Sequence, residues 1–189
     1  MHPLKTVWLL ALLCFACADL AAQEASFSGV VTRVFDGDSF LVRPAGQRQD
    51  VDVRLMDIDA PEKDQPYADV SRAALRKLID GRRVFVDVIE TDRYRRKIAR
   101  VYREPDRLEV AVALVHDGHV WVYRRAVRDR ALIELEDRAR ARKAGLWALP
   151  EASRVAPWRF RRERREERKL EQAVQQKQDT AAHSPRELR

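Results

Sequence analysis

Between Phe27 and Tyr102 the apolar residues recur mostly at every second position, the period of a strand with one buried face. Phe27 to Phe35 is rich in β-branched and aromatic residues and runs into Asp36-Gly37, a strong hairpin signal. Phe40 to Arg43 resumes the pattern until Pro44-Ala45-Gly46 ends it. Val51, Val53 and Leu55 alternate with Asp52, Arg54 and Met56, which predicts a third, half-buried strand. Val84, Val86 and Val88 predict a fourth by strict alternation, and Ile98 to Tyr102 a fifth. Between the third and fourth the period changes. A loop over Ala60 to Pro66 leads into Ala68 to Ile79, where Val70, Ala73, Ala74, Leu75 and Leu78 take helical spacing before Asp80-Gly81.

Beyond Tyr102, Leu108 to His116 and Arg128 to Lys143 read as helices, the second stopping at Gly145. Leu149 to Pro157 holds two prolines and reads as a linker. Trp158 to Gln178 is dominated by Arg, Glu and Gln, and 179–189 is polar, the composition of a solvated helix or a disordered tail. There is no internal repeat. Five short strands with a helix between the third and fourth follow the plan of an OB-type barrel, although periodicity alone supports only a small α+β domain.

The N-terminus changes the picture of the compartment. Met1 to Lys5 carries one positive charge, Thr6 to Ala18 is nearly all apolar, and small residues follow to Ala22. This is the order of a secretory signal peptide, and the apolar run falls short of the roughly 20 residues a spanning helix needs. A signal peptide over 1–22 is expected, with cleavage after Ala22, or else after Ala18. A buried N-terminal helix is the ordinary alternative. A lipid anchor on Cys17 is a second one, although Cys14 stands where a lipobox wants Leu. Cys14 and Cys17 both lie inside this leader, so the exported chain is expected to hold no thiol, no disulfide and no cysteine-ligated zinc. The net charge of +7 suits a polyanionic partner such as nucleic acid, anionic lipid or cell-wall polymer, without choosing among them.

Three stretches concentrate charge of a kind that does chemistry. Asp36-Gly37-Asp38-Ser39 is the first, Arg54-Leu55-Met56-Asp57-Ile58-Asp59-Ala60-Pro61-Glu62 the second, and Thr91-Asp92-Arg93-Tyr94-Arg95-Arg96 the third. Each has an ordinary reading as well: a hairpin turn, a solvated loop, a basic turn before strand five. Taken in order, Asp-Gly-Asp-Ser, then Arg-(x)4-Asp-x-Pro-Glu, then Asp-x-Tyr-x-Arg resembles the staphylococcal nuclease (thermonuclease) family. The resemblance runs from Phe27 to Trp147. It includes Trp121-Val122-Tyr123-Arg124-Arg125, similar to a stretch common in bacterial members, and Gly145-Leu146-Trp147 after the last helix.

The resemblance implies an α+β fold: a five-stranded OB-fold β-barrel with about three packed helices and a charged C-terminal helical or disordered tail. The nuclease domain is then expected over 23–149, with the linker and Arg/Glu-rich tail over 150–189. It further implies calcium as cofactor, held by the Asp38 and Asp59 carboxylates and the Ala60 carbonyl, in keeping with calcium's preference for oxygen ligands. The family often has Thr at the position of Ala60, a change a backbone ligand tolerates. Glu62 matches the glutamate that orients or deprotonates the attacking water. Arg54 and Arg96 match the two arginines that grip the phosphate oxygens. Tyr94 matches a tyrosine near the nucleotide pocket, where stacking on a base and plain packing are both open. Asp36 and Asp57 are expected to shape the turn or the outer metal shell. Arg95 replaces a residue that is usually Gly, which puts the backbone there in question. His116 and His119 read as surface residues.

By the same resemblance the substrates are DNA and RNA, cut with little base specificity to leave 3′-phosphate ends. A monomer is expected, exported to the periplasm or beyond, with no stable protein partner and no transmembrane segment. The rival reading is a catalytically inactive OB-fold module that only binds nucleic acid. A third is a basic cell-envelope protein with a vestigial site. All five matched side chains, Asp38, Arg54, Asp59, Glu62 and Arg96, are present, which favours the enzyme.

Overall fold

The computed structural model describes residues 26–125 and 127–182. The expected leader over 1–22, with Cys14 and Cys17, and the last polar residues over 183–189 lie outside them. Five strands make the barrel: β1 (Phe27–Val34), β2 (Ser39–Pro44), β3 (Val51–Leu55), β5 (Arg83–Thr91) and β6 (Lys97–Arg103). They run in the order β3-β2-β1-β5-β6, and β3 closes the ring by pairing parallel to β6, Arg54 opposite Ile98. Register shifts in β1 at Val31/Arg33 and in β5 at Val88/Glu90 bend the sheet. Such bulges are how a flat ladder acquires the coil that closure needs. At Gly29 β1 and β2 come so close that an added Cβ would lie 2.4 Å from the Arg43 carbonyl oxygen.

The alternation in the sequence becomes the barrel interior. Val31, Phe40, Val42, Val53, Leu55, Val84, Val86 and Val101 are all at most 1% exposed. Helix α1 (Ala68–Ile79) packs Leu75 and Ile79 onto the same core, and α2 (Val110–His116) adds Val110, Leu114 and Val115. Leu108–Glu109 is a short strand, β7, on the edge of β6, so the helix expected from Leu108 begins two residues later. Helix α3 (Ala131–Ala141) is shorter than the expected span over 128–143, and ahead of it the Asp129 carboxylate accepts the Ala131 N–H at 2.9 Å. A separate two-stranded ribbon joins β4 (Ile58–Asp59) to β8 (Trp121–Val122).

The C-terminal part departs most from expectation. Leu149 to Pro157 is not a free linker. It carries a 3₁₀ turn at Glu151–Ser153, and Ala156 is 5% exposed within a second apolar cluster of Trp121, Ala139, Leu146 and Trp147. From Pro157 the chain forms one long helix, α4 (Pro157–Ala182), so the helical alternative for the tail holds. Trp158, at its start, packs edge-on to Trp121 at 5.9 Å and to Tyr123 at 5.5 Å. His119, expected at the surface, is half-buried, its Nδ1 hydrogen-bonded to the Tyr67 hydroxyl at 3.0 Å, whereas His116 is exposed. No helix among the described residues is long and apolar enough to cross a membrane.

Candidate active site

The turn between β1 and β2 sets the first carboxylate. Asp36 Oδ1 accepts the N–H groups of Asp38 (2.9 Å) and Ser39 (2.7 Å), so it shapes the turn. Gly37 lies flat on α1: a Cβ there would meet Ser71 Oγ at 2.0 Å and Ala60 Cβ at 2.8 Å. The turn thereby feeds Asp38 into the protein, 2% exposed, at the mouth of the barrel. Its Oδ1 accepts from the Ser39 hydroxyl and from Arg54 Nη1, both at 2.7 Å, and its Oδ2 from the Ala60 N–H at 2.8 Å. Burial pushes the Asp38 carboxyl up to about 6, and the Arg54 guanidinium pulls against that rise.

Arg54 stands opposite Ser39 in the β2–β3 ladder, which aims its guanidinium across the strand end. Its Nη1 bonds Asp38 and its Nη2 bonds Asp59 Oδ1 at 2.7 Å, so one guanidinium spans the two buried carboxylates. Burial works against the Arg54 charge, but Asp38 and Asp59 outweigh it and hold its pKa above the ordinary value. Asp59 is 1% exposed on β4, where pairing with Trp121 of β8 fixes the strand. Asp57 ties that ribbon to the segment ahead of α3, accepting the Arg128 N–H at 2.9 Å. It is a structural clasp in an Asp with φ of 65°.

Glu62 follows on the loop. Its N–H donates to Gln65 Oε1 at 2.8 Å, and Gln65 Nε2 donates in turn to the Val155 carbonyl at 2.9 Å. The loop is thus pinned to the segment that precedes α4. From α4, Arg161 enters the site: Nη2 bonds Asp59 Oδ2 at 2.7 Å, Nη1 bonds Asp59 Oδ1 at 3.1 Å, and Nη1 also bonds Glu62 Oε1. Burial opposes its charge, yet the Asp59 and Glu62 bonds raise its pKa well above the arginine norm. Nothing in the sequence around Arg161 announces this contact, because Asp59 is 102 residues away. Trp158 and Phe160, two aromatics in a charged run, are the local sign of a docked helix face.

The third motif lines the same part of the molecule. Asp92 Oδ1 accepts the N–H groups of Tyr94 (2.8 Å) and Arg96 (3.0 Å), and its Oδ2 accepts Arg96 Nε at 2.8 Å. Arg95 adopts φ of 67°, the left-handed conformation that a glycine takes without strain. Tyr94 is 64% exposed, with the guanidinia of Arg93 and Arg96 at 4.8 and 5.6 Å from its ring centre. A cleft of 610 Å³ is lined by residues of both groups, Arg54, Asp59 and Glu62 together with Tyr94 and Arg96. Asp38 and Ala60 line the adjoining 270 Å³ pocket, which shares Arg54 and Glu62. All seven residues singled out from the sequence therefore border one or the other of these two adjoining pockets.

The donor chemistry suits a hard cation: carboxylate oxygens of Asp38, Asp59 and Glu62, with no His or Cys lining these pockets. Among the described residues no three such side chains form a ready metal cluster. The guanidinia of Arg54 and Arg161 lie between the carboxylates and already serve as their counter-charge.

Known proteins resemble this chain over much of its length. The family profile described as "Staphylococcal nuclease homologue" matches residues 52–149, which takes in most of β3 and the elements up to Leu149 but not Asp38. Protein ParB of Escherichia coli is 41% identical over 148 residues, 74% of this chain and 81% of its own. An uncharacterized endonuclease of Escherichia coli O157:H7 is 39% identical over 137 residues, 72% of this chain and 86% of its own. Micrococcal nuclease of Shigella flexneri is 35% identical over 147 residues, 73% of this chain and 82% of its own.

Proposed function

The chain belongs to the staphylococcal nuclease family, and from that premise we propose that it is an exported, calcium-dependent nuclease. It hydrolyses phosphodiester bonds of DNA and RNA with little base specificity and leaves 3′-phosphate ends. The observation that carries this reading is the Asp38–Arg54–Asp59 bridge, nearly out of water, opening on the same depression as Glu62 and Arg96. A module that only bound nucleic acid would gain nothing from burying two carboxylates, which repel phosphate and cost desolvation.

Asp38 and Asp59, with the Ala60 carbonyl, are the residues that would hold calcium. Bound there, it would act as a Lewis acid on a phosphoryl oxygen and as a template for the substrate. Glu62, half-exposed on its pinned loop, accepts the proton of the attacking water or orients it. Arg96 is presented by the Asp92 clamp from across the cleft. A guanidinium has five N–H donors, so the contacts to Asp92 leave capacity for phosphate oxygens, whose growing charge it stabilises. Tyr94 beside it offers an exposed ring to a base.

Glu62→Gln keeps the shape and removes the base. It is expected to lower turnover on single-stranded DNA by about 10²–10⁴ while oligonucleotide affinity changes far less. Arg96→Lys should also lose much of the rate, since an ammonium cannot grip two oxygens in a plane. A chelator should abolish activity, and calcium should restore it far better than zinc. Wild-type protein that releases no acid-soluble nucleotide with calcium would decide for the binding module.

A further inference from the structure

Helix α4 sorts its charges by face. Arg161, Arg164, Arg165 and Arg168 recur at i, i+3, i+4 and i+7, while Glu163, Glu166 and Glu167 fall on another side together with exposed Leu170 and Val174. The arginine face is the one turned to the domain: Arg161 holds Asp59 and Glu62, and Arg164 reaches Asp64 at 3.6 Å. Between this face and the loop after β4 lies a groove of 250 Å³. It adjoins the active-site cleft, with Glu62, Arg161 and Arg165 lining both. Of the charged side chains lining the groove, Glu62 and Asp64 answer Arg161 and Arg164, which leaves Lys63, Arg165 and Arg168 as surplus positive charge.

Like charges three and four residues apart on a helix repel, so a helix with no partner gains by mixing signs along each face. The Arg159–Glu163 pair elsewhere on α4 shows the mixed arrangement. Asp59, Glu62 and Asp64 compensate Arg161 and Arg164, and the remaining arginine on the groove side suits an anionic occupant. We propose that this face of α4, with Lys63 across from it, binds the phosphodiester backbone of a single-stranded nucleic acid where it leaves the cleft. From Arg161 to Arg168 the helix supplies a track about 10 Å long. Continuity with the cleft favours a strand over a lipid surface, and the exposed apolar pair on α4 lies on the glutamate side rather than in the groove. The inference rests on the nuclease reading and extends the substrate path beyond the scissile bond.

The test uses the full chain carrying Glu62→Gln, and anisotropy of a labelled single strand of about 12 nucleotides, read across a salt series. Arg165→Gln with Arg168→Gln is expected to weaken binding and reduce the slope of log affinity against log salt by about 1.4, two contacts at about 0.7 each. Arg162→Gln with Lys169→Gln removes the same charge from exposed positions outside the groove, and should change the slope by less than half as much. An equal fall in both double variants would show diffuse attraction and overturn the groove. So would a groove variant that loses binding to phosphatidylglycerol vesicles yet keeps its affinity for the strand. Cleavage of the same strand by wild type with calcium is read in parallel. Cutting, together with an unchanged slope in the groove variant, sinks this inference alone; no cutting removes the premise beneath it.

Discussion

Asp59 is 1% exposed, and a carboxylate taken that far from water needs positive charge beside it. Arg54 supplies one side and Arg161 the other, the second with two nitrogens on two oxygens. Removing one partner of a fully buried pair costs about 3–5 kcal/mol. Arg161 keeps 36% of its side chain exposed, so water relieves part of the loss and Arg161→Ala is expected to cost about 1–3 kcal/mol. Calcium at the same carboxylates would replace the missing charge. Thermal melts should therefore show calcium raising the Tm of Arg161→Ala by more than it raises that of the wild type. An equal increment in both proteins would show that arginine and cation do not contend for Asp59. The three motifs were legible because each is local and their order is distinctive. Arg95 stands where the family usually has Gly, and the backbone there has the φ of 67° that glycine would allow freely. Arg161 was not legible, because a contact across about a hundred residues leaves no spacing to read.

At the scale of elements, the two-residue ribbon of β4 and β8 holds Asp59 in place, and α3 holds the ribbon. Glu136 of α3 has no exposed surface. Its Oε1 accepts the Val122 N–H at 2.9 Å, and its Oε2 accepts from Arg124 at 2.7 Å and faces Arg140 at 3.2 Å. Glu136→Ala would orphan that N–H and open a void, at a cost of about 2–4 kcal/mol in denaturant unfolding. Glu136→Gln can still accept the Val122 N–H but turns an amide NH2 toward Arg124 and Arg140, so it should recover only part of that cost. Both should lose activity in step with the loosening of β4, and an alanine variant with wild-type stability would refute the coupling. Helix α1 was readable to its ends because twelve residues carry several helical repeats. Strands β4, β7 and β8 were not, because two residues hold no alternation, and only their partners make them strands. Leu108–Glu109 consequently looked like the first turn of α2.

At the scale of the whole molecule, the tail divides into a docked part and a projecting part, and deletions should separate them. Composition pointed to a solvated extension beyond Pro157. The structure instead lays Trp158 against Trp121 and Tyr123, and sets Arg161 into the site. Beyond the groove-lining Arg168 the helix exposes Leu170 and Val174, 68% and 55% exposed. Deleting 170–189 is therefore expected to leave the Tm within about 1 °C of the full chain, since surface changes away from such contacts cost little. Deleting 157–189 strips a half-buried Trp with two edge-on ring contacts, worth about 3 kcal/mol together. With the about 1–3 kcal/mol lost with Arg161 added, that corresponds for a chain of this size to a fall of roughly 8–24 °C in Tm. The same deletion frees Glu62 and Asp59 from Arg161, so activity and calcium response should change as well as stability. Both deletions are read by thermal melts and by turnover on a short strand. If removing 157–189 leaves Tm and turnover unchanged, the docking of α4 contributes nothing in solution. If removing only 170–189 already destabilises the protein, the projecting half has a partner within the fold that the helix's exposed face does not show.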